Sequence, residues 1–357
     1  MEPKGFTRRR EKAFDMHGSL SGLGVTSPVL AAPMAGGGTT PALVAAAASA
    51  GSLGFVAGGY KTAEALAEQI AQVRALGIPF GVNLFAPNPV PVDPDAYRRY
   101  ARALRPDADR YGLDLPKAIT EDDDHWEAKL DLLLAGPVPL VSFTFGLPDA
   151  SVFARLRRAG TLVAQTVTSA DEARPAADAG ADLLLVQAAA AGGHSGTLTP
   201  DRVPPAVPLP RLLGEVGAAV SLPLVGAGGL ATPEAVAEAL TAGATAVAVG
   251  TVLLRSDESG ASKPHREALA DPARRETVVT RAFTGRPARG LRNTFTDDHS
   301  SEAPAGYPAL HHLTSALRKA AVRAGDPERV NLWAGTGYRH ATAEPAADIL
   351  TRLSPRL

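Results

Sequence analysis

Apolar residues in this chain fall into eight short, mostly apolar runs, four of them closed by glycine, and between the runs apolar positions recur every three or four residues. The runs are Val29–Met34, Gly54–Ala57, Phe80–Phe85, Leu140–Phe145, Leu162–Val167, Leu183–Val186, Pro223–Gly226 and Ala246–Val249. Runs of this length that do not alternate with polar residues are strands covered on both faces, as in a parallel sheet. The stretches between them predict helices. Thr40 and Pro41 make an N-cap and first-turn pair for a helix over 42–50. Thr62 caps one that runs to about Leu76, with Leu66, Ile70, Val73 and Leu76 on one face. Further helices are expected over 149–159, over 169–179 behind a capping-box-like Ser169…Glu172, over 208–219 and over 232–241. Ala179-Gly-Ala-Asp-Leu-Leu-Leu-Val186 and Ala242-Gly-Ala-Thr-Ala-Val-Ala-Val249 repeat one joint, in which a helix stops at glycine and a buried strand begins; Ala50-Gly-Ser-Leu-Gly-Phe-Val56 is a looser copy. About eight strands, each followed by a helix or an insertion, predict an α/β chain folded as a (β/α)₈ TIM barrel. The alternative is an open doubly wound sheet. No Gly-x-Gly-x-x-Gly follows the first strand, which counts against a dinucleotide-binding half.

The pattern breaks twice. Residues 86–139 carry Pro87, Pro89, Pro91 and Pro94, with helices expected near 95–104 and 124–134. They read as an insertion after the third strand that covers one end of the core. From about Ser256 the strands stop, and helices near 265–269 and 307–324 flank the loop Thr284–Asn293. The expected division is a barrel over 20–255 plus 335–357 and a smaller, mainly helical substrate-covering domain over 256–334. A last amphipathic helix over 342–353 returns to the barrel.

Composition narrows the chemistry. The 357 residues carry 36 Lys+Arg against 37 Asp+Glu, a balance that gives nucleic acid and anionic membranes no reason to bind. Cysteine is absent, so thiolate catalysis and Cys-ligated zinc or iron–sulfur centres are excluded. Arg8-Arg9-Arg10 has no apolar run behind it, so a secretory signal over 1–15 is rejected and a cytoplasmic setting is expected. Pro41–Tyr60 has no charge, but its glycines favour two short elements over a membrane span.

In a barrel the C-terminal ends of the strands share one face. Those ends supply Pro33 and Met34, Gly58 and Gly59, Asn83, Thr144, Gln165, Gln187 and the loop behind it, Gly226-Ala-Gly-Gly229, and Gly250-Thr251. Gly228 and Gly229 lead into a helix N-terminus, and Gly250 and Thr251 add amides and a hydroxyl; together they suit a phosphate. Taken singly, such glycines serve turns. Asn83 and Gln187 offer donors and acceptors to a flavin or base edge, and each also suits a satisfied polar residue in the barrel mouth. Met34 suits packing on a ring or in the core. Gly192-Gly193-His194 places a histidine at a strand end, where it can move protons. The remaining histidines, His17, His125, His265, His299, His311, His312 and His340, read as surface or structural. Asp122-Asp-Asp-His125 reads as a solvated helix start rather than a metal site.

Taken together, Ala32-Pro-Met34, Gly81-Val-Asn83, Gly-Gly-His194-Ser-Gly196, Gly226-Ala-Gly-Gly229, Gly250-Thr251, Arg281-Ala-Phe-Thr-Gly285 and Gly290-Leu-Arg-Asn293 resemble the nitronate monooxygenase family. The resemblance covers most of the chain. It implies a non-covalent FMN held by Pro33, Met34, Asn83, Gln187, Gly192, Gly193, Gly228, Gly229, Ala248, Val249, Gly250 and Thr251, with no metal. It implies His194 facing the substrate, and oxidation of alkyl nitronates by O₂ to a carbonyl compound and nitrite without use of reduced nicotinamide. For a neutral nitroalkane His194 would take the α-proton; as a cation or donor it would steady the nitronate oxygens. The partners expected are a small nitro compound and O₂, and an oligomer is compatible. Many relatives carry an acidic residue just before the Gly-Gly-His, where this chain has Ala188–Ala191. The competing expectations are an enoyl-ACP reductase-like enzyme using FMN and NAD(P)H, for which Arg281, Arg286, Arg289 and Arg292 are the one basic cluster, and a non-catalytic flavin- or metabolite-binding barrel.

Overall fold

The structure is a computed structural model that describes residues 20–355; the readings of 1–15 and of His17 lie outside them. Eight parallel strands close into a barrel: β1 (Val29–Ala31), β2 (Gly54–Ala57), β3 (Phe80–Ala86), β4 (Leu140–Phe145), β5 (Leu162–Val167), β6 (Leu183–Gln187), β8 (Leu224–Ala227) and β9 (Ala246–Val249). A two-residue strand, β7 (Gly193–His194), lies outside the ring. The ring closes where β1 pairs with β9, Val29 opposite Val247 and Ala31 opposite Val249.

Successive strand residues face opposite ways, and the core divides accordingly. Leu30, Phe55, Leu140, Ala164, Leu183, Val225 and Ala246 fill the barrel interior. Val29, Val56, Val82, Val141, Val163 and Val247 face the helix layer, where they meet Leu43, Leu66, Phe153, Leu213 and Val236. Gly81 makes room for the Phe55 ring; a Cβ there would lie 2.5 Å from it.

The helix Trp126–Ala135 packs against β3 and the neighbouring helices through Trp126, Leu130 and Leu133. It is the barrel helix that follows β3. The helices Pro94–Ala103 and Arg105–Arg110 instead join Phe283, Phe295, Leu310, Leu313 and Leu317 of the C-terminal segment through Tyr97, Tyr100 and Leu104. Ala346–Leu353 packs between the helices Pro41–Ser49 and Pro233–Thr241 and supplies the last barrel helix.

Strands do not stop at Ser256, contrary to the expectation from sequence. β10 (Thr277–Thr280) and β11 (Ala288–Leu291) pair antiparallel, and β11 pairs with β7. Those segments are short, and neither they nor Gly193–His194 has a repeating apolar period. Pairing with distant partners makes them strands. Pro41–Tyr60 forms a helix and β2, and no helix among the described residues is long and apolar enough to cross a membrane.

Candidate active site

One cavity of about 810 Å³ opens at the C-terminal ends of the barrel strands. That volume is ordinary for a small-molecule site. Each residue that the family resemblance implies for the cofactor or the substrate lines it: Pro33 and Met34 after β1, Asn83 on β3, Gln187 on β6, Gly192, Gly193 and His194 behind it, Gly228 and Gly229 after β8, and Ala248 to Thr251 at the end of β9. Thr144 lines it as well. Gln165 does not; it is fully buried, and its Nε2 donates to the carbonyls of Gly146 and Thr166 at 3.1 Å.

The glycine loops build one end of the cavity. Gly228 has φ +108°, and a Cβ there would come 2.9 Å from Ala188 O and Ala191 N. Only glycine lets the β8 loop run that close to the β6 loop. Gly192 faces the backbone of Ala334 and Gly335, which a Cβ would meet at 2.5–2.6 Å. The segment behind Ala334 is tied on by Thr336 N to Ala190 O at 3.0 Å and by Gly335 N to Thr251 Oγ1 at 2.9 Å. Among the described residues, the amides of Gly228, Gly229, Gly250 and Thr251 donate to no protein acceptor. Four unpartnered donors at converging loops fit a phosphate-bearing cofactor. Asn83 donates Nδ2 to Ser142 Oγ at 2.9 Å and to Thr144 Oγ1 at 3.0 Å, and no donor among the described residues reaches its Oδ1.

Gln187 has another role in the protein as it stands. Its Nε2 donates to His194 O at 3.1 Å and its Oε1 accepts from Gly196 N at 2.7 Å. The side chain clips the loop that carries the histidine into a fixed arc.

His194 sits on β7, where it pairs with Ala288 of β11. Its Nε2 lies 2.9 Å from Thr284 Oγ1. Phe145, Tyr307 and Trp333 surround the ring, with centroids 5.6, 6.1 and 5.3 Å away. Burial in this aromatic setting, with Arg286 and Arg318 nearby, pushes its pKa down to about 3. The imidazole is therefore neutral at physiological pH. It can accept or donate a hydrogen bond; of the expected cation-or-donor role, the donor part fits this state and the resting cation does not.

The cavity wall also contains residues that the sequence did not single out. Tyr60 and Phe145 hold φ of +63° and +84°, a region that aromatic residues seldom occupy. Tyr60 is held there by its amide, which donates to Asp124 Oδ1 at 2.9 Å. Asp124 in turn pairs with buried Lys129 at 2.7 Å, so the acidic run is anchored at Asp124 rather than solvated throughout. The His311 ring stacks on Tyr60 at 4.1 Å. His265 donates Nε2–H to Trp333 O at 3.0 Å. Both histidines line the cavity, although their sequence positions read as surface or structural. His299 is structural: its Nε2 lies 2.7 Å from Asp107 Oδ2, and both groups are buried.

The four arginines of the C-terminal segment do not form a docking patch. Arg286 is wholly buried, stacks on Phe145 at 4.1 Å and donates to Ser195 O and Thr197 O. Arg289 donates to Ala189 O, Arg281 to Asp201 O, and Arg292 pairs with Glu276 and Asp297. Arg286 and Arg289 hold the histidine loop from behind. That removes the one sequence feature favouring a carrier-protein surface.

A parallel barrel with an anion cradle and a half-buried histidine at its strand ends suits an enzyme that binds a phosphate-bearing small molecule. Residues 18–355 match the family model described as nitronate monooxygenase. A probable nitronate monooxygenase of Staphylococcus aureus (strain MRSA252) is 35% identical over 336 residues, 93% of this chain and 94% of that protein. The crystal structure of nitroalkane oxidase from Streptomyces ansochromogenes superposes with a TM-score of 0.89 and 47% identity, over 94% of this chain and 96% of that one. FabK from Thermotoga maritima is more distant, with a TM-score of 0.72 and 27% identity over 93% and 92% of the two chains. The chain belongs to the nitronate monooxygenase family, whose members are flavin-dependent oxidoreductases acting on nitronates.

Proposed function

We propose that this chain holds FMN non-covalently and oxidises alkyl nitronates with O₂ to a carbonyl compound and nitrite, with His194 as the group that receives the α-proton of a neutral nitroalkane. The observation that carries this reading is the joining, in one cavity, of the unpartnered amides at Gly228, Gly229, Gly250 and Thr251 with the imidazole of His194, fixed by Thr284 and the β7–β11 pairing. The amides would hold the FMN phosphate, and Asn83 Oδ1 would accept from the ring edge. FMN supplies the electron-accepting ring system.

The remaining work falls to the chain. Phe85, Phe145, Tyr60 and Trp333 exclude water from the substrate end. Thr284 and the β7–β11 pairing fix the imidazole, so a proton accepted from carbon arrives at a positioned nitrogen. A nitronate has already lost that proton, so it needs the histidine less. Thr284 Oγ1 also lies 3.4 Å from Arg286 O. When its single proton points there, Nε2–H donates to Thr284 and the other ring nitrogen is free to accept.

The test is direct. Purified protein should show a flavin spectrum and, given a nitronate in air without NAD(P)H, should consume O₂ and release nitrite. Protein that binds no FMN, or a flavin bleached rapidly by NADH and indifferent to nitronates, overturns the reading. A cytoplasmic location and self-association both fit the proposal; fractionation and light scattering test them.

A further inference from the structure

The cavity has an electrostatic asymmetry that the proposed chemistry has not used. Arg318, Lys319 and Arg323 line it, and no aspartate or glutamate among the described residues does. All three lie on the helix Ala309–Ala324, where Ser315, Arg318, Lys319, Val322 and Arg323 follow the helical spacing of one face. Lys319 and Arg323 are exposed at the rim, whereas Arg318 reaches inside.

Arg318 has only neutral partners. Its Nε donates to Thr314 Oγ1 at 3.1 Å, and Nη2 to His311 O at 3.1 Å and to His311 Nδ1 at 3.2 Å. Nη1 lies 3.5 Å from Asn331 Oδ1. No carboxylate among the described residues pairs with it. Burial lowers the guanidinium pKa, but arginine starts high enough to stay charged. Arg318 is half-buried on the cavity wall, and a guanidinium there without a counter-charge is one that an anionic ligand in the cavity can pair. The two imidazoles nearby do not share this role, because burial holds His194 at about 3 and His311 at about 2. Arg318 is thus the positive charge inside the aromatic end of the cavity.

We propose that Arg318 is the anion-recognition residue of this site, its guanidinium meeting the charged oxygens of the nitronate. This rests on the nitronate reading above and names what distinguishes the two substrate forms. A nitronate spreads its charge over two coplanar oxygens, and Nη1, whose one contact is the 3.5 Å approach to Asn331 Oδ1, is the donor left to meet them with a charge-assisted hydrogen bond. A neutral nitroalkane has the same shape but little net charge to offer. The stack of His311 on Tyr60 backs the guanidinium, and the rim cations draw anions inward.

The experiment uses the flavin-loaded protein and nitrate, a planar oxyanion, as probe. Calorimetric titration should show nitrate binding that weakens about 10-fold or more in Arg318→Met, the loss expected for charge-assisted hydrogen bonds. Arg318→Lys should recover part of it, and Lys319→Ala should change it less than about 3-fold, as for an exposed charge. In turnover, Arg318→Met should lower kcat/KM for an alkyl nitronate by about 10-fold or more relative to the neutral nitroalkane. Unchanged nitrate affinity in Arg318→Met, or equal losses for both substrates, overturns the proposal. Loss of bound flavin in that variant also overturns it, by assigning Arg318 to the cofactor phosphate. If Arg318→Met does not fold, Arg318→Lys decides: nitrate affinity equal to that of the parent protein overturns the proposal. Wild-type protein that binds flavin and nitrate but ignores nitronates sinks the activity reading alone, because the nitrate titration still reads Arg318.

Discussion

At the scale of single residues, His194 was legible because a histidine between glycines at a strand end has few structural reasons to be there. Its protonation state was not legible, because the Phe145, Tyr307 and Trp333 rings that desolvate it come from distant parts of the chain. His194→Asn is expected to keep FMN, since the cradle amides lie on other loops. It should lower kcat for neutral nitroalkanes by about 10²-fold or more, the usual worth of a positioned base, and cost nitronates far less. Equal loss for both in steady-state assays removes the base assignment. Because burial holds the imidazole at about 3, the pH profile of kcat/KM should show no histidine inflection near pH 6.5; a break there would mean a different ionising base. Gln187 was expected at the flavin, yet its amide holds the loop through His194 O and Gly196 N. Two hydrogen bonds to the backbone nine residues away and nearer cannot be seen in a sequence.

The elements followed from local pattern wherever a local pattern existed. β2, β4, β5 and β9 begin and end where the apolar runs do, because a strand covered on both faces writes its whole length in hydrophobic residues. β7, β10 and β11 escaped, because a short edge ladder needs no apolar period, only a partner. The glycine loops depend on backbone freedom instead. Gly228→Ala places a side chain at φ +108° and against Ala188 and Ala191, a strain of about 1–3 kcal/mol. The purified variant should retain much less flavin by absorbance ratio; unchanged occupancy would detach this loop from the cofactor. A second element-scale prediction concerns Asp107 on the helix Arg105–Arg110. It accepts from Arg329 Nε at 2.7 Å and lies 2.7 Å from His299 Nε2, so it ties that helix to the C-terminal segment. Burial opposes its charge, but these two partners outweigh burial and hold the carboxyl below its ordinary range. Asp107→Ala should destabilise by about 3–5 kcal/mol in chemical denaturation, because it strands a buried guanidinium. A loss below about 1 kcal/mol would show that the tie is ornamental.

The whole molecule carries a pH dependence that no single element shows. His194 and His311, half-buried on the cavity wall, and His265, buried, are neutral, with pKa values pushed down to about 3, 2 and 4 from an ordinary 6.5. Between those values and 6.5, the unfolded chain binds protons that the folded protein does not. Stability is therefore complete above about pH 6.5 and falls as the pH drops toward 4, by about 1.4 kcal/mol per pH unit for each histidine. Denaturation midpoints measured from pH 7 to pH 4 should fall steeply, and the slope should decrease when His265 is replaced by Gln. A flat curve would place water or solvent at all three rings.

The sequence by itself determined the barrel, the order of its strands and the loops that converge on its open face. Each strand and joint is specified by neighbours in the chain, and a closed parallel barrel puts all strand ends on one side. Tertiary structure alone decided which charges meet there. His311 and Arg318 reach the cavity because the helix Ala309–Ala324 folds over the barrel mouth, where His311 meets Tyr60 from the loop after β2, and no carboxylate among the described residues pairs with Arg318. Charge and burial depend on the distance between residues far apart in the chain, and hydrophobic spacing along the chain does not encode that distance.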